Sequence, residues 1–120
     1  MPQPNVFSAD CPSREIMARI AEKWSMLIII SLKNGTLRFG ELKRCINGVS
    51  QKMLTQTLRN LESDNIVKRV EFKEKPMRVE YSLTPLGENL VSLIDNLKLW
   101  IEDNYFELIK QSEPHQNPVP

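Results

Sequence analysis

Residues 49–84, VSQKMLTQTLRNLESDNIVKRVEFKEKPMRVEYSLT, constrain the fold more than any other part of the chain. They read as a helix, a strand, a loose charged loop and a second strand. Ser50 is placed to cap the helix, because its hydroxyl can accept from an orphan amide of the first turn. Val49 and Leu54 fall at the two positions of a hydrophobic staple, which sets how the chain enters the helix. Leu54, Leu58 and Leu61 recur at helical spacing and give one apolar stripe. The opposite face carries Gln51, Lys52, Thr55, Gln56 and Arg59, with no carboxylate until Glu62. A solvated surface helix ordinarily mixes Glu with Lys. This face instead holds groups that read base edges: Arg can bond guanine, Gln adenine, and a Thr methyl can touch that of thymine.

Asn65 follows where a left-handed residue should close the helix, a conformation Asn tolerates well. Val67, Val70 and Phe72 then lead into Val79, Tyr81 and Leu83, and in the second run Arg78, Glu80 and Ser82 alternate with the apolar positions as a half-buried strand requires. Lys73-Glu74-Lys75-Pro76 between the strands has no hydrophobic anchor. Helix plus charged hairpin is the layout of a winged helix-turn-helix, in which the helix reads the major groove and the loop reaches phosphates or the adjoining minor groove.

The remaining chain supplies the frame. Cys11-Pro12 opens a first helix, since Pro is preorganised for the first helical position; Ile16, Ile20 and Trp24 follow at helical spacing, with Met17 beside them. A second apolar helix is expected from about Ser25 to Lys33, closed by Asn34-Gly35. Its Leu27, Ile28, Ile30 and Leu32 surround much of its circumference and mark it as the buried centre. Thr36-Leu37-Arg38-Phe39 can add a third strand to the hairpin. Gly40 to Ile46 forms a short helix with Leu42 and Ile46 inward and Lys43 and Arg44 outward, broken by Asn47-Gly48. Helix, glycine turn, helix is the helix-turn-helix pattern.

After the hairpin, Thr84-Pro85 restarts helix with a cap and a first-position proline, and Glu88 favours the helix dipole. Apolar residues crowd this segment, and if continuous to Lys110 it would be ~38 Å long at the α-helical rise. They exceed one core-facing stripe, and a small domain cannot cover them all. A second subunit is the economical partner.

Composition sets limits on the alternatives. At 120 residues the chain is one domain with a single core. Residues 37–80 hold ten Lys/Arg against six Asp/Glu, whereas residues 86–113 hold two against six. A chain polarised in this way can bind DNA at one end despite a net charge of +1. The run Met26–Ile30 is far too short to cross a bilayer, and MPQPNVFSAD lacks the basic start and long apolar segment of a secretory signal; the expected location is cytoplasmic, with no membrane partner. Two cysteines without close spacing argue against a disulfide scaffold and a zinc site. A thiol enzyme needs a base, yet the only histidine is His115 in the polar tail, so neither enzymatic activity, a cofactor nor a metal is expected.

These residues together resemble the HxlR-type transcriptional regulators, a MarR-related winged-helix family. The matching pieces run in order from Cys11-Pro12 and Lys23-Trp24 through Arg38-Phe39-Gly40-Glu41-Leu42 and Ser50–Glu62 to Val79-Glu80-Tyr81-Ser82-Leu83-Thr84, Gly87 and Trp100. Two positions depart: Ala21-Glu22 stands where the family usually has Gly-Gly, and Asn65 where it usually has Gly. The resemblance implies an α+β, mainly α winged helix-turn-helix with a small β-hairpin wing and added terminal dimerisation helices. It divides the chain into a flexible arm (1–10), a single domain (11–113) and a flexible tail (114–120). Within the domain fall dimerisation helices at 12–23 and 85–110, the helix-turn-helix at 39–64 and the wing at 66–84.

The implied function is a homodimer bound to an inverted-repeat operator in double-stranded DNA. Ser50, Gln51, Lys52, Thr55, Gln56 and Arg59 would meet the groove or its walls, and Arg38, Lys43, Lys73, Lys75 and Arg78 would neutralise phosphates. Ile16, Ile20, Leu93, Leu97, Trp100, Ile101, Tyr105 and Leu108 would form the dimer interface. A winged helix used only for protein–protein contact is the alternative, and would need an apolar or acidic face on its third helix. Cys11, at a helix start near Arg14, has the setting of an acidified thiol, and many relatives carry an oxidant- or electrophile-sensing cysteine there. Cys45 lies outside the family pattern and reads first as a small core residue; its other reading is a disulfide with Cys11 of the second subunit. An oxidant or a small molecule is the effector class left open.

Overall fold

Five helices and a small sheet follow the expected order, with a short sixth helix after them, in the computed structural model, which describes residues 3–110. The tail 114–120 with His115, and Met1 and Pro2 of the arm, lie outside the described residues. The first helix is shorter than 12–23. Pro12 stands at its N-cap and α1 spans Ser13–Ala21. Glu22 is extended, with φ −66° and ψ 140°, and its carboxylate accepts from Trp24 N at 3.0 Å and Ser25 N at 3.2 Å. A capping side chain thus does the work of the glycine pair: it ends α1 and starts α2 (Lys23–Ser31) two residues before the expected Ser25. Gly35, at φ 141°, carries the chain away from α2 in a conformation that disfavours side chains.

Ile28 and Ile29 are wholly buried, and α2 packs against α1, α3, α4 and α5. It is not buried all round, however: Leu27 remains 40% exposed, because one side of the helix looks along an open groove beside α5. β1 (Leu37–Arg38) runs directly into α3 (Phe39–Cys45), where Glu41 Oε1 accepts from Arg38 N at 2.8 Å. Leu42 and Ile46 point inward. Gly48, at φ 92°, turns the chain into α4 (Gln51–Ser63). Val49 and Leu54 both bury in the core with Leu58 and Leu61, as the staple and stripe require. Asn65 closes α4 at φ 63°.

β2 (Val67–Phe72) and β3 (Arg78–Leu83) form the antiparallel wing, with β1 on the other edge of β3. The register pairs Val67 with Leu83, Arg69 with Tyr81, and Glu71 with Val79. Tyr81 and Leu83 are buried, so the face toward the helices carries Val67, Arg69 and Glu71. Val70 and Phe72 therefore fall on the outer face rather than beside Val67. There Phe72 lies under the Arg78 guanidinium, 4.1 Å from its ring centre.

Thr84 caps α5 (Pro85–Asp103) through Gly87 N at 3.0 Å. Gly87 is buried where α5 crosses the β2 entrance; a Cβ there would stand 2.3 Å from Ile66 O, so only glycine permits this approach. The long C-terminal helix is not continuous to Lys110. Asn104 adopts φ −108° and ψ 13°, and its side-chain amide donates to Trp100 O at 2.8 Å. That local bond competes with the helical ladder, and α6 (Tyr105–Ile109) starts beyond the break.

Candidate DNA interface and thiol site

Helix α4 is held by its cap and its core stripe, and these decide which side chains remain free. Ser50 Oγ accepts from Met53 N at 3.0 Å. The hydroxyl of Thr57, which sequence reasoning left unassigned, donates to Met53 O at 2.7 Å within the buried side. With Leu54, Thr57, Leu58 and Leu61 committed inward, Gln51, Lys52, Gln56 and Arg59 are exposed and Thr55 is half-buried. These five side chains line one shallow depression on the outer surface of α4. Within it Gln56 donates to Asn60 at 3.2 Å, and neither Lys52 nor Arg59 has an ion-pair partner among the described residues.

The cations outside α4 divide into two kinds. Arg38, Lys43, Lys73 and Lys75 are exposed and without ion-pair partners among the described residues. Arg78 is already engaged: Glu74 at 3.2 Å, Glu80 at 3.1 Å and the Phe72 ring surround its guanidinium. It holds the wing together, its charge shared with two carboxylates. Arg69, which sequence reasoning did not single out, reaches from the inner face of β2 and bonds Glu71. Its two-residue spacing from Val67 was the available signal, since alternation puts both on one face.

The apolar residues expected at an interface lie along α1, α5 and α6. Leu93 is 68% exposed and Trp100 54%, and Ile16, Leu97, Ile101, Tyr105 and Leu108 are exposed as well; Ile20 is half-buried. Phe106, which was not assigned to the interface, is 82% exposed, its ring set edge-to-face with that of Tyr105. A groove of about 230 Å³ between α2 and α5 is walled by Met26, Leu27, Ile30, Ile94, Leu97 and Ile101. Arg19 of α1 makes a bidentate pair with Asp64, the residue that ends α4, with both bonds at 2.8 Å. This pair ties the N-terminal helix to the end of the exposed helix.

Residues 3–10, expected as a loose arm, fold back on the start of α1. Arg14 donates to Val6 O at 3.1 Å and Phe7 O at 2.8 Å, which occupies its guanidinium with the arm rather than with the thiol. The Cys11 thiol is half-buried, 3.0 Å from Ser13 Oγ and 3.4 Å from Asn5 N. The Ser13 hydroxyl first, then the Asn5 amide and the Ser13 amide, hold it below the usual thiol range, because each stabilises a thiolate. Cys45 is exposed at the last residue of α3 and is not a core residue: Leu42 and Ile46 take the inward positions on either side of it. No helix among the described residues is long and apolar enough to cross a membrane, and no metal-holding cluster occurs among them.

An exposed polar helix behind a glycine turn, with a charged hairpin beside it, defines a winged helix-turn-helix transcriptional regulator. The model of the HxlR-like helix-turn-helix family matches residues 19–109. YtfH of Escherichia coli (strain K12), an uncharacterized HTH-type transcriptional regulator, is 45% identical over 105 residues, covering 88% of this chain and 83% of its own. The structure of ytfH from Salmonella typhimurium superimposes with a TM-score of 0.86 at 43% identity, covering 92% of this chain and 98% of that one. The redox regulator HypR in its oxidized form matches with a TM-score of 0.72 at 37% identity, over 78% of this chain and 97% of its own. The chain belongs to the HxlR-like helix-turn-helix family.

Proposed function

We propose that this regulator binds an inverted-repeat operator as a homodimer and responds to oxidants through Cys11. The observation that carries the DNA reading is the exposed face of α4, where Gln51, Lys52, Thr55, Gln56 and Arg59 lie together without a carboxylate among them. A protein-binding face would be apolar or acidic. Two such helices in a two-fold dimer reach successive major grooves when set ~34–36 Å apart. The exposed apolar side chains of α1, α5 and α6 supply the surface through which the subunits pair. Arg38, Lys43, Lys73 and Lys75 then neutralise phosphates, contributing affinity without sequence information.

For the thiol, the support is its hydrogen-bonded setting at the start of α1 and the Arg19–Asp64 pair at that helix's other end. Oxidation joins Cys11 to Cys45 of the other subunit: two thiols give up two protons and two electrons, and diamide as oxidant is reduced to the hydrazine. The new bond pulls on α1, and the bidentate pair passes the displacement to α4. The test of the DNA reading is the protein's own upstream region in a gel shift, with and without reductant. Arg59→Ala weakens operator binding more than random-sequence binding, whereas Lys75→Ala lowers the salt dependence of both alike. Equal effects of the two changes on both duplexes refute this division. After diamide, non-reducing electrophoresis yields a covalent dimer that Cys45→Ser abolishes; a monomeric band with unchanged DNA binding refutes the disulfide.

A further inference from the structure

The surface between α4 and the wing holds a second cationic feature. A cleft of about 490 Å³ opens there, walled on one side by Gln51, Thr55, Arg59 and Glu62 of α4 and on the other by Arg69 and Tyr81 of the sheet. Gln51, Thr55 and Arg59 also line the exposed depression on α4, so the cleft and that surface share a rim. Arg69 reaches the cleft because the strand register puts it on the inner face, level with Tyr81 and just beyond the last buried pair, Val67 and Leu83. Tyr81 is still buried at that level while Arg69, on the outer strand β2, is exposed, so the arginine occupies the helix-facing side of the sheet and still meets solvent. Its guanidinium is bonded by the Glu71 carboxylate two residues along the same face. Glu62 lies about one helical turn beyond Arg59 and bounds the cleft with negative charge, which confines any anion to the Thr55–Arg59–Arg69 end.

We infer that this cleft is a phosphodiester site, in which Arg69 grips the DNA backbone strand running between the groove-filling helix and the wing while Arg59 on the shared rim reaches into the groove, and in which Glu71 masks Arg69 until DNA arrives. The inference rests on the DNA-binding reading above and adds to it a contact and a brake. When a phosphate enters, Arg69 exchanges the carboxylate for a phosphate oxygen, and its planar fork suits either partner. The exchange costs little because an exposed ion pair of this kind is weak. Masking also modestly lowers the free protein's affinity for any polyanion, since a sequence-independent contact raises affinity for all DNA.

The experiment titrates the full chain against a short fluorescent duplex of random sequence over a series of salt concentrations, with wild type, Arg69→Ala, Arg69→Lys and Glu71→Gln. Arg69→Ala is expected to reduce the slope of log affinity against log salt by about 0.9, the loss of one phosphate contact. Arg69→Lys keeps the charge and keeps the slope. Glu71→Gln removes the mask and tightens binding roughly two- to fivefold, the range set by an exposed ion pair. Matching melting temperatures across the set exclude a folding defect as the cause. A slope in Arg69→Ala equal to wild type overturns the inference and leaves operator binding standing; a wild type that binds no duplex sinks both. Inorganic phosphate that binds wild type but not Arg69→Ala, without displacing the duplex at fixed ionic strength, assigns the cleft to a free anion and overturns the duplex assignment.

Discussion

Replacing Leu93 tests pairing without touching the core of the subunit. Its side chain is 68% exposed in the single chain, so the subunit's own fold draws little from it. Full burial of a leucine contributes about 1.5–3 kcal/mol, which leaves ~1–2 kcal/mol for a second subunit to supply. The proposed two-fold dimer would use the same side chain twice, once on each subunit, giving ~2–4 kcal/mol for the dimer. At 1.4 kcal/mol per tenfold, Leu93→Ala raises the dimer dissociation constant by roughly 30- to 700-fold. Leu93→Asp goes further, since in the proposed interface it takes a charge out of water. Sedimentation equilibrium across a dilution series reads the constant directly, and far-ultraviolet circular dichroism checks that the helices persist. Operator affinity falls with the dimer population. A wild type that sediments as a monomer, or an alanine variant that dimerises as tightly as wild type, refutes the reasoning.

Gly87→Ala drives a methyl to 2.3 Å from Ile66 O, a carbonyl already holding Thr84 N at 3.0 Å, so it cannot step aside. Overpacking near ~3 kcal/mol less ~1 kcal/mol of helix propensity predicts a net loss of about 2 kcal/mol in urea unfolding, and equal stability would contradict the crossing described. Ser13→Ala removes the largest cause of the acidified Cys11 thiol. The pH profile of iodoacetamide alkylation in the wild type is then expected below that of free cysteine and shifts upward in the variant; coincident profiles would discard the hydrogen bond as the cause. Lys33, 2.8 Å from Asp95, holds that carboxyl below the usual range and ties α2 to α5. Because the folded-state value is the lower one, the contribution is present above the unfolded value and fades as pH falls through the folded one. Asp95→Asn therefore flattens part of the acid-side fall in melting temperature, and an unchanged profile counts against the bridge.

Much of the winged helix was legible in local patterns. Ser50, the Val49–Leu54 staple and the leucine stripe specify α4 within a few residues of one another, and Asn65 adopts the left-handed turn its side chain tolerates. Such signals act over one or two helical turns, so they survive in a linear reading. Cys45 illustrates the limit: its neighbours Leu42 and Ile46 were placed correctly, but whether a small residue between them meets the core depends on which side of α3 the other elements cover. The same holds for Leu27, on a helix apolar enough to look buried all round. The single long helix failed at Asn104 for a different reason, a side-chain bond back to Trp100 that no apolar periodicity reports.

What the sequence determined alone was the order of elements, the stripe that α4 buries and hence the polar side chains it leaves outside. These follow from helical period, capping chemistry and the positions of glycine and proline. The tertiary structure decided the relations between distant residues. It joined Arg19 to Asp64, closed Arg14 onto the arm and set Arg69 across a cleft from Arg59. Each of these depends on how separate elements pack, and a charged side chain's choice of partner is made by three-dimensional proximity rather than by spacing along the chain.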